Sequence, residues 1–206
     1  MVKPVENKYL LTRTEYGIYS EEMKRPGTTV YNLPHFLYLG TDISVERLED
    51  AVRKTFEAHP YLKIRLFADE NGYVYKRQEE GDVEIDLVDV PSKDFDRRSF
   101  VRPFELLKEP LYRVMILRIQ EEVCLFTDFH HIIFDLTSQM IFYRDLSRAY
   151  QGEALQKEEK TGNDVSVEEA AMRETVAFAE AREYYRSVFE GIELESVPFQ
   201  DRNEET

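Results

Sequence analysis

One cysteine in 206 residues, no long apolar run and a deficit of basic side chains each exclude a class of protein. The lone Cys124 lies in the apolar stretch VCLF, so no disulfide forms within the chain. With nothing basic beside it in sequence to stabilise a thiolate, a buried, unreactive thiol is expected there. No stretch approaches the roughly 18 consecutive apolar residues that span a bilayer. The opening MVKPVENKY also lacks the apolar stretch of a secretory signal, so a cytoplasmic protein without a membrane partner is expected. Acidic residues number 41 against 27 basic, and a net charge of −14 repels a phosphate backbone, which argues against nucleic acid as a partner. Much of that excess is local: residues 151–206 hold 15 acidic and 6 basic side chains, a pattern that reads as a solvated helix face plus tail. There is neither an internal repeat nor a glycine-rich phosphate loop.

What is present is a 42% hydrophobic chain, enough for the core of one large domain or two small ones. Thr12 and Glu15 have capping-box spacing, and Tyr16, Tyr19 and Met23 follow at helical intervals, so a helix is expected to about Arg25, before Pro26-Gly27. Extended chain follows in VYNLPHFLYLG. Ser44 then reads as the N-cap of an amphipathic helix whose stripe is Leu48, Ala51, Val52, Thr55 and Phe56, ended by Pro60. The segments YLKIRLFA and YVYKRQ alternate around Asn71-Gly72 and read as a hairpin. VEIDLVDV is a further strand, and LYRVMILRIQ with VCLFTDFH makes a second hairpin joined near Glu121-Glu122. A helix bearing Met140, Tyr143, Leu146 and Tyr150 comes next. Residues 151–165 have no apolar period and read as a mobile connection; Ser166 and Glu169 then open a long helix to about Glu190, with Gly191 as its stop. This order of elements favours an α+β fold, an α/β sandwich with a mixed, largely antiparallel sheet flanked by helices.

Chemistry concentrates in one stretch, Phe129-His130-His131-Ile132-Ile133-Phe134-Asp135-Leu136-Thr137-Ser138, which holds two of the four histidines. If a strand runs through the pair, His131 shares a face with Phe129, Thr127 and Leu125, and His130 with Asp128 and Phe126. Adjacent strand histidines do not converge on one ion, and no further ligands have metal-site spacing. A serine hydrolase lacks support, because there is no GxSxG and Ser138 by itself implies no triad. On pattern alone, the two histidines also read as satisfied polar residues at a strand end.

HHIIFDLTS resembles the HHxxxDG signature of the condensation-domain superfamily of nonribosomal peptide synthetases, whose fold is that of chloramphenicol acetyltransferase. YLLTRTEYGIYSEEMKRPGTTVYNLP, VERLEDAVRKTFEAHPYLKIRLF, RPFELLKEPLYRVMILRI and EAREYYRSVFEGI resemble further segments of that family, in the same order. The resemblance implies an acyltransferase that forms an amide bond between a carrier-bound acyl thioester and an acceptor amine. It implies two lobes with an active site between them, this chain being the N-terminal lobe, inactive alone, with residues 196–206 leading towards the missing C-terminal lobe. Carried over, His131 is the catalytic histidine acting on the amine, while His130 and Asp135 support the site, Asp135 through a basic partner for which Lys63 and Arg65 are candidates. Implied partners are the donor and acceptor carrier-protein domains and a neighbouring adenylation domain. Substrates ride on the carriers' phosphopantetheine, and no tightly bound cofactor or metal is expected.

The chain departs from that pattern in places. Leu136 replaces the glycine that closes the signature, Ala58-His59 stands for Arg-His, and Leu62-Lys63 for Leu-Arg. The loop at Leu136 and Ser138 is therefore expected to differ. A noncatalytic carrier-docking module and an O-acyltransferase stay open as readings, as does an epimerisation domain. A heterocyclising domain is disfavoured, since it carries aspartate where His130 stands. A last expectation is exposed apolar surface on the His131 side, where the other lobe docks.

Overall fold

The computed structural model describes residues 7–192, so the tail at 196–206 lies outside the described residues. The chain divides into two units, Met1–Glu169 and Ala170–Thr206. In the first unit, strand β1 (Tyr9–Leu10) precedes helix α1 (Arg13–Lys24), strand β2 (Asn32–Gly40) and helix α2 (Val45–Ala58). A short 3-10 turn (Pro60–Lys63) leads into β3 (Ile64–Ala68), β4 (Val74–Gln78) and β5 (Asp86–Val90). Strands β6 (Tyr112–Ile119) and β7 (Glu122–His130) are followed by α3 (Leu136–Tyr150) and α4 (Gly162–Arg173), then α5 (Val176–Phe189).

The strands form two sheets. One has the order β1-β4-β3 and is antiparallel; the other has the order β2-β7-β6-β5, antiparallel except that β5 runs parallel to β6. The α+β, mixed and largely antiparallel architecture thus matches the expectation. The two-residue β1 carries too short a pattern to be read from sequence.

Local chemistry accounts for the element ends. The Thr12 hydroxyl accepts from the Glu15 amide at 3.3 Å while the Glu15 carboxylate accepts from the Thr12 amide at 2.6 Å, closing the capping box. Ser44 accepts from the Arg47 amide at 3.2 Å and starts α2. Gln120 takes a φ of 59° in the two-residue connection between β6 and β7, the left-handed geometry that suits the twist of paired strands.

Strand alternation gives the four-stranded sheet two packed faces. Leu125 and Phe129 face the helices, where the whole stripe of α2 is buried and the Phe56 ring meets Tyr112 at 4.8 Å and Phe142 at 5.9 Å. Burying each such side chain contributes roughly 1.5–3 kcal/mol. Cys124 and Phe126 point the other way, into a smaller cluster with Val90, Leu117 and Ile119 that Phe36, Phe95 and Phe100 cover. Burial pushes the Cys124 thiol up to about 11, as expected of an inert cysteine. A buried ion pair crosses this second face: Arg113 Nη1 lies 3.0 Å from Asp128 Oδ2, which also accepts from Asn32 Nδ2 at 2.7 Å.

The long helix expected from Ser166 is corrected in two ways. It starts at Gly162, because Asp164 turns back to accept from the Thr161 amide at 2.8 Å, and Ser166 lies inside it, its hydroxyl donating to the Gly162 carbonyl at 3.0 Å. The helix also breaks at Glu174-Thr175, where Thr175 donates to the Met172 carbonyl and accepts from the Phe178 amide, capping α5 anew. Gly191, at a φ of 73°, stands just past the end of α5, as expected of a helix stop. Within the connection read over 151–165, the Glu158 amide donates to the Ala58 carbonyl at 2.9 Å.

Candidate active site

Strand β7 ends on His130, and the next residues turn into α3 with every amide from 130 to 133 held. The His130 amide donates to Leu111 O at 2.9 Å, His131 to Tyr31 O at 2.8 Å, and Ile133 to His130 O at 3.0 Å. The Ile132 amide donates to the His130 ring itself, to Nδ1 at 3.2 Å. Ile132, Ile133 and Phe134 are buried, with the Phe134 ring stacked 4.1 Å from Phe129. This wiring leaves the His131 side chain exposed to solvent.

The face-sharing expected for His131 is therefore corrected. The sheet stops at His130, so His131 does not continue the row of Leu125, Thr127 and Phe129. Thr127 is buried and bonded to the Tyr143 hydroxyl at 2.6 Å, which in turn meets His35 Nδ1 at 2.8 Å. His130 does keep the face of Asp128 and is wholly enclosed, its ring 5.6 Å from that of Phe104 and 6.0 Å from that of Tyr31. Burial first, then the neighbouring His131 and Arg113, push His130 down to about 4, so it is neutral near pH 7.

Asp135 is the N-cap of α3: its Oδ1 accepts from the Ser138 amide at 2.8 Å and from the Ser138 hydroxyl at 2.7 Å. These bonds, the backbone one foremost, hold its carboxyl below the usual range. The basic partner expected for it is not Lys63 or Arg65, which instead donate to the carbonyl oxygens of Gly81 and Lys108. Both cations, Lys63 at the end of the 3-10 turn and Arg65 on β3, are drawn to backbone acceptors, and Asp135 bonds within its own turn. Leu136 is the first residue of α3, with a helical backbone that needs no glycine, and its side chain is 71% exposed. Val30, Leu136 and Met140 are all exposed, and Val30 precedes Tyr31, whose carbonyl holds the His131 amide.

A cleft of about 80 Å³ opens beside Ser138, lined also by His59, Tyr61, Ile133, Phe134 and Glu158. At its wall His59 bridges two carboxylates, Nε2 to Asp145 at 2.9 Å and Nδ1 to Glu158 at 2.9 Å. The Glu158 bond above all, with Asp145, raises its affinity for a proton against the cost of burial. Sequence reasoning placed His59 at a helix end but missed this cluster, whose members lie 86 and 99 positions away. Among the described residues no three His, Cys, Asp or Glu side chains converge to hold a metal, and no helix is long and apolar enough to cross a membrane. The arrangement thus offers one solvent-facing imidazole on a rigid turn, able to exchange a proton or a hydrogen bond with a bound molecule.

Residues 5–205 match the family model of the condensation domain. The chain belongs to the condensation-domain family. The chain is 30% identical over 169 residues to tyrocidine synthase 2 of Brevibacillus parabrevis, a match covering 81% of the chain and 5% of that protein. It is 28% identical over 197 residues to surfactin synthase subunit 2 of Bacillus subtilis (strain 168), covering 93% of the chain and 6% of the relative. Among solved structures, the starter condensation domain of the rhizomide synthetase RzmA superposes with a TM-score of 0.74 at 16% identity, over 90% of this chain and 48% of that one. A variant of that domain in complex with C8-CoA and Leu-SNAC superposes with a TM-score of 0.73 at 14% identity, over 91% and 46% of the two chains. The first condensation domain of the CDA synthetase gives 0.68 at 18% identity, over 91% and 51%. These likenesses establish the fold of the condensation domain; the chain spans about half the length of the solved domains and a small fraction of the synthases.

Proposed function

We propose that this chain is the histidine-bearing N-terminal lobe of an acyltransferase that makes amide bonds in nonribosomal peptide synthesis, with His131 as its catalytic residue. The observation that carries the reading is the turn itself: the signature segment buries His130, caps α3 with Asp135 and projects the exposed His131 imidazole. A thioester is already an activated acyl donor, so the catalyst has to align an amine, take its proton and stabilise the oxyanion. An imidazole can both accept and return a proton through its ring nitrogens, and such catalysis contributes roughly 10²–10⁴-fold. Donor and acceptor carrier proteins bring the substrates on phosphopantetheine, in a protein of the cytoplasm that includes the second lobe and a neighbouring adenylation domain. The binding of C8-CoA and Leu-SNAC by the RzmA domain supports an acyl thioester and an aminoacyl thioester as the substrate pair. The isolated lobe is inactive in this reading.

Single-turnover amide formation from two loaded carriers tests it, using the lobe joined to its C-terminal partner. Product from the parent protein and a fall of roughly 10²–10⁴-fold in His131→Ala is the expected result. Two features favour a second reading, a docking module without catalysis: Asp135 has Ser138 rather than a cation as its partner, and Leu136 stands in the signature's glycine position. Carrier binding with no product from the folded parent supports that module instead.

A further inference from the structure

His130 is enclosed, yet its Nε2 has no hydrogen-bond partner, and neither has Oε2 of Glu22, a buried residue near the end of α1. These two atoms face each other at 4.0 Å. The tautomer of His130 follows from the other side of the ring. The Ile132 amide donates to Nδ1, which must therefore carry its lone pair, and a neutral imidazole has one proton to place. That proton is on Nε2, directed at Glu22. Protonated Glu22 cannot donate there, since both ring nitrogens would then be acceptors; Glu22 is the acceptor of the pair.

We propose that Glu22 is a positioning residue for His131, accepting the Nε2 proton of His130 and so fixing the ring whose Nδ1 holds the Ile132 amide in the turn. The inference rests on His131 being the reacting histidine. A closure of about 1 Å brings Nε2 and Oε2 to hydrogen-bond distance. His131 is the residue between the two anchored by this ring: His130 supplies the ring, and Ile132 the amide it holds. The charged and titratable groups around His130 are Glu22 from α1, Arg113 from β6, His131 in the turn and Tyr31 before β2. A ring turned over, with Nδ1 protonated, loses the Ile132 bond and releases the turn on the side of His131. Positioning of this kind is the outer half of how a histidine site is built: the partner of the partner sets the tautomer.

Imidazole nitrogen NMR on the labelled chain reads the tautomer directly between pH 5 and 8, where the expected result is an Nε2-protonated His130 that does not titrate. An Nδ1-protonated ring, or a ring titrating near 6.5, overturns the proposal whatever the activity. In Glu22→Met, which removes the acceptor at similar length, exchange of the Ile132 amide is expected to rise about tenfold, and kcat of the two-lobed protein to fall about tenfold with KM unchanged. Glu22→Gln retains an acceptor oxygen and is expected to restore both to within about twofold. Unchanged Ile132 exchange in Glu22→Met overturns the proposal; should that variant not fold, the parent tautomer and Glu22→Gln decide. An undiminished yield in His131→Ala, with the nitrogen spectra as expected, removes His131 from catalysis and leaves the tie between Glu22 and the turn standing.

Discussion

Helix α2 and strand β7 each end beside a histidine, and the two imidazoles are treated in opposite ways. His59 caps α2 between the carboxylates of Asp145 and Glu158, which favour its proton. His130 closes β7 between the rings of Tyr31 and Phe104, with Arg113 in the neighbourhood, and gives its proton up. Both side chains are nearly out of solvent, so burial alone does not set the charge of a histidine. What differs is that two carboxylates already bond the His59 ring at 2.9 Å, whereas around His130 burial dominates and the charged neighbours that act on it, His131 and Arg113, disfavour its proton.

The comparison is broken most severely by taking an anion from His59. Asp145→Leu is expected to cost about 3–5 kcal/mol at pH 6 in urea unfolding, because it strips a partner from a buried charge; a loss below about 1 kcal/mol contradicts the charged-histidine description. His130 comes next. Its folded value, about 4, lies below the unfolded 6.5, so the folded state loses stability as pH falls through that interval, by about 3 kcal/mol in total. His130→Gln is expected to flatten that acid limb relative to the parent, whatever its offset at pH 7. The sign reverses for His59: with the folded value raised, its contribution is complete below 6.5 and fades as pH climbs through the folded value. His59→Gln therefore narrows the alkaline fall, and a parent and variant that run parallel above pH 6.5 refute it. The smallest effect belongs to Leu136→Gly, which touches neither histidine and places glycine at a helical position at a cost of about 0.5–1 kcal/mol. Both pH limbs should survive it unchanged.

Much of the fold was legible in sequence because the responsible interactions are local. Thr12 with Glu15, Ser44 with Arg47, and the turn at Gly72 are decided within four residues, and the stripe of α2 follows from period alone. The start at Gly162 was missed although it too is local, because the capping pattern at Ser166 competes with the one at Thr161 and Asp164 and nothing in the pattern ranks them. The sheet order was not legible, since the parallel pairing of β5 on β6 depends on the whole path of the chain. The candidate site shows the same division. His130, His131 and Asp135 stand together in sequence and are open to selection as candidates there, whereas Glu22, Asp145 and Glu158 meet their histidines only through folding.

Strand β2, with Asn32 opposite His130, pairs with a strand far along the chain. During synthesis, β2 emerges with its apolar side chains while its partner is still roughly a hundred residues away, a wait of roughly 5–20 s at ribosomal rates. The central sheet, and with it the turn that carries His131, is therefore assembled late. Protease resistance of truncated nascent chains is therefore expected to rise once β7 has left the ribosome.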